Sequence, residues 1–313
     1  MKEFFGYALL NVSFAVLFAP FYMSLIKKVK AWSQRRKGPG LMQSYYNLIK
    51  LFRKECVYSQ NSSWIMRLSP YISFACMLAA ALFVPFAFIP SPVFGFGNII
   101  LFLYILALAK FFMALAGLDA GSTFGGMGSS REMTISSIIE PVAIITFAAL
   151  AFSFQAFNLF DIFAAASKSS IIGLNPLLLL LGISMFIVLI TETARIPVDN
   201  PETHLELTMV HEAMILEQSG KNLALMELSA AIKQLLLMGI LINIFLPWGI
   251  AGQFTIFGIL IAILAFFAKS TLLAAFIGIF ESSTAKLRLF RLPTMFFIAF
   301  FLSLLTLLLE VLI

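Results

Sequence analysis

The sequence predicts an all-α integral membrane protein of about eight transmembrane helices with cytoplasmic amphipathic helices, and three observations carry that expectation. Hydrophobic residues make up 61% of the 313 and charged residues only 12%, with a mean hydropathy of +1.00, far from the balance of a water-soluble domain. Apolar runs recur along the whole chain, several of them close to the roughly 20 residues that cross a bilayer core. The basic residues fall on alternate connections, as membrane topology demands. The chain therefore reads as one membrane domain, 1–313.

Candidate spans lie at about 4–26, 71–90, 98–118, 135–157, 175–194, 223–246, 253–280 and 293–313. The first is too long for a signal-peptide core and no small-residue cleavage site follows it, so it reads as a retained span. Running it from outside to inside makes 27–70 a cytoplasmic loop. Sixteen of the 21 Lys and Arg then lie on the inner side against Lys2 and Lys168 outside, with Lys110, Lys233 and Lys269 inside spans. Both termini are expected outside. The net charge of +6 thus reports topology rather than a nucleic-acid partner. Cys56 and Cys76 are too few to build an iron–sulfur or zinc site.

Within 27–70, Leu41, Tyr45, Leu48 and Phe52 form one helical stripe with Lys50, Arg53 and Lys54 off it, the pattern of an interfacial amphipathic helix. Gly38-Pro39-Gly40 marks a turn before it, and Pro70 is expected to open the second span. The segment DAGSTFGGMGSSRE, 119–132, lacks the Gly-Lys-Ser/Thr ending of a phosphate loop. Its glycines suit either a connector or a segment pressed against a partner. Glu140 follows at the start of the fourth span, beside Pro141, which leaves the Ser137 carbonyl without its helical donor. That makes a polar spot able to exchange protons.

An acidic island at 191–220 holds six of the fifteen acids and both histidines. Glu192 lies near the inner end of the fifth span and Pro197 is expected to stop that helix. Asn200-Pro201 begins a second, shorter helix to about Gln218, capped by Gly220, within a cytoplasmic loop 195–222. His204 and His211 are seven residues apart and Glu206 and Glu217 eleven apart, so each pair falls on one side of such a helix. His211-Glu212 lacks the second histidine of a zinc-protease motif, and neither a metal site nor a catalytic group is expected. The sixth span carries Glu227 and Lys233, and Lys233 lies deep enough to need an anionic partner. Lys269 follows in the seventh span, which ends at Glu281. Ionisable residues recurring over neighbouring spans suggest a polar path for protons or small ions.

Five motifs carry a family resemblance: RRKGPG, KLFRKE, GMGSSREM ahead of Glu140-Pro141, the stretch TETARIPVDNPETHLELTMVHEAMILEQSG, and RLFRLP. Together they resemble the membrane-anchor subunit shared by complex I (its subunit 1) and group 4 membrane-bound [NiFe] hydrogenases, and they are closer to the formate hydrogenlyase and hydrogenase-4 branch. The complex I version continues its first-loop motif as GPN-R-V-G; GPGLMQ stands here, which weighs against a bound quinone.

The resemblance implies eight spans and no redox cofactor in this chain. It implies docking of a peripheral hydrogenase-like arm that carries iron–sulfur clusters and, in the hydrogenase branch, the nickel–iron site. It also implies antiporter-like membrane partners in the cytoplasmic (inner) membrane. By motif position Glu140, Glu192, Asp199, Glu206, Glu212 and Glu217 match acids in or near a polar funnel, and Arg35, Arg36 and Arg195 match the basic residues beside it. The expected path is Glu140, Glu192, Glu206, Glu212, Glu217, Glu227 and Lys233, with Arg35, Arg36, Arg195, Asp199, His204 and His211 at the docking funnel. Two alternatives stay open: a quinone-binding subunit of an NADH dehydrogenase-like complex, and a stand-alone ion transporter. The second is disfavoured because the island has no counterpart in residues 1–150.

Overall fold

The structure is a computed structural model that describes residues 2–89, 97–168, 175–200, 209–251 and 255–312. It is all-helical apart from turns and isolated bridges, and it is a multi-pass membrane protein. Its helices are α1 (Lys2–Ser33), α2 (Gln43–Phe52), α3 (Trp64–Ala81), α4 (Ile99–Asp119), α5 (Thr123–Ser153), α6 (Leu159–Lys168), α7 (Pro176–Glu192), α8 (His211–Ile215), α9 (Gly220–Phe245), α10 (Ile256–Ser283) and α11 (Leu292–Leu312). Among the described residues seven are long and apolar enough to cross a membrane, and the remaining expected span, 175–194, is the 17-residue α7. At 1.5 Å per residue α7 reaches about 26 Å, slightly short of a ~30 Å hydrocarbon core.

Helix α9 is the centre of the bundle: its most apolar stretch is 78% buried, against 28% for α10 and 22% for α11. Its buried face includes Ala224, Leu228, Ile232, Leu235 and Ile242. Helices α10 and α11 instead present Leu264, Leu272, Phe297 and Phe301 outward, as lipid-facing helices do.

Helix α3 begins at Trp64, so Pro70 sits inside it rather than opening it. The Ser63 hydroxyl accepts the Ile65 N–H at 3.2 Å, and the Asp119 carboxylate accepts the N–H groups of Ser63 and Met66 at 2.8 and 3.0 Å. Those acceptors satisfy the first-turn donors and move the start upstream. Pro70 denies the Met66 carbonyl its helical donor, and the side-chain amide of Gln218 donates there at 3.3 Å.

The glycine-rich segment expected as a connector is instead the first turns of α5. The Ser122 hydroxyl caps it, accepting from Gly125 N–H at 3.0 Å. A Cβ on Gly128 would lie 2.7 Å from Ala213 Cβ and 3.0 Å from the Met214 nitrogen. The missing side chain lets α5 press onto α8, and that packing outweighs glycine's poor helix propensity. The segment is thus pressed against its own chain, and Glu140 stands in the middle of α5.

The amphipathic helix forms as α2, with its buried face rotated from the expected stripe. Tyr45, Leu48 and Leu51 turn inward while Phe52 is exposed. The Ser24 and Ser44 hydroxyls meet at 2.7 Å and the Tyr45 hydroxyl donates to the Leu17 carbonyl at 2.5 Å, which pins α2 along α1. Partial burial raises the Tyr45 phenol above its ordinary pKa.

Two further differences concern the connections. Helix α6, unforeseen as a short apolar segment, buries Leu159, Phe160, Ile162, Phe163 and Ala166. The helix expected to run to Gln218 is limited, among the described residues, to His211–Ile215; Glu202, His204 and Glu206 lie outside the described residues. Helix α7 ends at Glu192, short of Pro197: Ala194 takes a left-handed φ of 50° and the Arg195 N–H donates to the Ile190 carbonyl at 2.9 Å, closing the helix C-terminus.

Candidate functional site

The bundle buries charge in two clusters at the level where α7 ends. In the first, Glu192 at the end of α7 accepts from Lys110 of α4 at 2.7 Å and from Lys233 of α9 at 2.5 Å. Lys110 also lies 3.7 Å from Glu140 of α5. The Glu192 side chain is 8% exposed and that of Glu140 45%. One carboxylate thus neutralises two ammoniums in apolar surroundings, and a second, half-exposed carboxylate stands on the far side of one of them. Such an arrangement keeps charge inside a membrane protein at tolerable cost.

The second cluster is built on the residue that follows Lys233. Gln234 accepts from Arg195, and the same guanidinium donates to Glu281 of α10 at 3.2 Å. Lys30 of α1 lies 3.3 Å from the other Glu281 oxygen. All three ionised side chains are almost fully buried.

Asp199 makes a third polar knot. One oxygen receives Lys286 at 2.6 Å, and the other accepts the N–H groups of Val210 and His211 at 3.2 and 3.0 Å. It holds the start of α8 in place.

Cavities flank the first cluster on both sides, adjacent ones sharing wall residues. A chamber of about 450 Å³ lies between α1, α2, α8 and α9, with Lys27, Asn47, Arg195, His211, Glu212 and Glu227 among its walls. It shares Met113, Thr193, His211 and Met226 with a void of about 50 Å³ that Lys110, Glu192 and Lys233 line. Beyond Lys110 and Glu192 a third cavity, about 330 Å³, is walled by Tyr104, Ile144 and Glu140. Tyr104 and Ile144 are exposed on the side of the bundle. The three form one file from the chamber, past the Glu192 cluster, to a lateral mouth beside Glu140.

A family model described as NADH dehydrogenase matches residues 6–311. The protein belongs to that family. This NADH dehydrogenase family member is 33% identical over 278 residues to formate hydrogenlyase subunit 4 of Escherichia coli (strain K12), covering 89% of each chain. It is 32% identical to hydrogenase-4 component C of the same organism, over 90% of this chain and 87% of the relative. Its fold is also that of a chain of the membrane-bound sulfane sulfur reductase, an archaeal respiratory membrane complex, at a TM-score of 0.83 and 20% identity, covering 98% of this chain and 99% of the other.

In this family member the structure gathers only some of the residues singled out from sequence. Glu140, Glu192 and Lys233 come together, and Lys233 finds its anionic partner in Glu192. Glu140 has a cation, Lys110, beside it. His211, Glu212 and Glu227 face the chamber. Arg195 and Asp199, expected at a docking funnel, are buried inside the fold. Arg35, Arg36 and Glu217 are exposed, and Arg36 borders a separate basic pocket with Lys27, Lys30 and Lys37. Sequence reading missed Lys110, Lys30 and Glu281 as site residues. Lys110 carried the same signal as Lys233, a lone charge deep in an apolar run. Lys30 was absorbed into the topology count, and Glu281 looked like a helix end.

Proposed function

We propose that this protein is the membrane-anchor subunit of a hydrogenase- or formate hydrogenlyase-type complex, docking a peripheral electron-transfer arm and coupling its redox chemistry to movement of protons or sodium ions. The single observation that carries the reading is the file of cavities running through Lys110, Glu192 and Lys233 to Glu140. The likeness to formate hydrogenlyase subunit 4 and hydrogenase-4 component C supports the type of complex. In this reading the chain sits in the inner membrane with both termini outside, and the basic segment 27–70 and the acidic loop 195–222 face the cytoplasm. The arm, with iron–sulfur clusters and a nickel–iron site in partner subunits, would cover that face. Antiporter-like subunits would receive the signal at the lateral mouth.

Electron transfer beside the chamber changes the charge felt by His211, Glu212 and Glu227. A proton taken up there reaches Glu192 through the small void, because a carboxylate between two ammoniums can accept it only when its surroundings change. Glu140 then passes the change out of the side of the bundle. No bond in this chain is made or broken other than to protons.

The test is Glu192→Gln and Glu140→Gln in the assembled complex in sealed vesicles. Ions moved per electron delivered to an artificial acceptor should fall about tenfold or more; an unchanged ratio in both variants would remove the assignment. A second reading, quinone binding, is favoured by the chamber itself, whose volume of about 450 Å³ falls in the range of ~300–1,000 Å³ for small-molecule sites. Quinone retained by the complex purified in mild detergent would support that reading.

A further inference from the structure

Lys110 stands at the neck between two cavities. It lines both the small void on the chamber side and the larger one that opens beside Glu140. Two carboxylates are in reach of its ammonium, Glu192 at 2.7 Å and Glu140 at 3.7 Å. The two acids are not equally supplied with cations. Glu192 has Lys233 at 2.5 Å as a second cation. Among the described residues, Lys110 is the cation within ion-pair distance of Glu140. The other titratable groups facing it are Glu132, further back on α5 and within electrostatic reach, and Lys233 and His211 across the small void.

We propose that Lys110 is a switch that exchanges Glu192 for Glu140 as its partner, so that protonation of the first carboxylate is felt at the second. The inference rests on the ion-path reading and names the positioning residue that joins its two ends. A proton arriving on Glu192 removes the nearer of the two negative charges that hold the ammonium. A small rotation about the flexible lysine stem then carries it toward Glu140, whose negative charge remains. As the ammonium swings back to Glu192, the proton crosses to Glu140, which releases it into the lateral mouth and returns to its ionised state. Each cycle admits one proton at Glu192 and releases one at Glu140, and the ammonium keeps its own protons throughout. Lys233 makes the exchange possible, because Glu192 is never left without a counter-charge while it is ionised.

The experiment uses the assembled complex in sealed vesicles, with Lys110→Met and Lys110→Arg compared for ions moved per electron. A guanidinium keeps the positive charge but can bridge both carboxylates with its planar fork, so a switch predicts that both variants lose about tenfold or more. Restored ion movement in Lys110→Arg would show a fixed counter-ion and overturn the proposal; that variant decides the matter even if the methionine variant fails to assemble. The second arm is a structure of the Glu192→Gln complex, in which Lys110 Nζ should lie within about 3 Å of a Glu140 oxygen. An ammonium still seated at residue 192 would overturn the switch. Normal ion movement in Glu140→Gln would instead overturn the path reading, and the position of Nζ in the first structure would still decide the pairing.

Discussion

Lys110–Glu192–Lys233 and Lys30–Glu281–Arg195 each place one carboxylate between two cations, and neighbouring residues of α9 serve one cluster each. Arg195 and Gln234 also border the chamber, but the two carboxylates differ in their surroundings. Around Glu281, whose side chain is 1% exposed, the partners include an arginine fixed by Gln234, permanently charged and held in a planar fork. It ties α1, α9, α10 and the chain after α7 into one body. Around Glu192 both partners are lysines on flexible stems, cavities open on two sides, and a second acid stands half-exposed beyond Lys110. Equal charge counts therefore say little. Access for water and freedom to change partner separate a clamp from a path.

The sharpest way to break this comparison is Glu281→Gln. It removes the carboxylate that Arg195 and Lys30 share inside the bundle, a loss of about 3–5 kcal/mol, measurable as a large drop in thermal midpoint and yield of the detergent-solubilised complex. Glu192→Gln should cost clearly less stability, because Lys110 retains Glu140 and the cavities admit water to both lysines. Equal stability losses in the two variants would mean that both clusters are clamps.

The two clusters also differ in how far the sequence showed them. A charge inside an apolar run is visible without a structure, and Glu192 and Lys233 were legible for that reason. Pairing was not, because Lys110 and Glu192 lie on α4 and α7, and no local period reports which helices touch. The spans themselves were legible from length and hydropathy, whereas the start of α5 was not: its glycines read as a break because the packing against Ala213 and Met214 that favours the helix lies some 85 residues away in the chain. Arg195 was placed at the docking funnel by its position in the family motif alone. Here its partner Glu281 comes from α10, and the ion pair draws it inside.

Gly128→Ala sharpens the comparison from the open side. Its Cβ would meet Ala213 Cβ at 2.7 Å and the Met214 nitrogen and Val210 oxygen at 3.0 Å, and two of these are backbone atoms that yield poorly. Overpacking of this kind costs about 1–3 kcal/mol, read as a lowered thermal midpoint. The push displaces α8, which carries His211 into both the chamber and the void beside Glu192. The cost should therefore add to that of Glu281→Gln, as separated sites do, and fail to add to that of Glu192→Gln. Additivity with both would place α8 outside the path.

Glu217→Gln supplies the smallest expected effect and tests whether burial is the right criterion. Glu217 shares the acidic island with Glu192 and Glu212, and its sequence signal was as strong as theirs. In the structure it is exposed just past α8, facing none of the three cavities. An exposed carboxylate is already solvated, so removing its charge should change stability by no more than about 0.5 kcal/mol and leave the ions moved per electron unchanged. A loss of coupling as large as that of Glu192→Gln would show that surface acids of the island act on a docked partner. The distinction between clamp and path would then have to be drawn at that contact rather than inside the bundle.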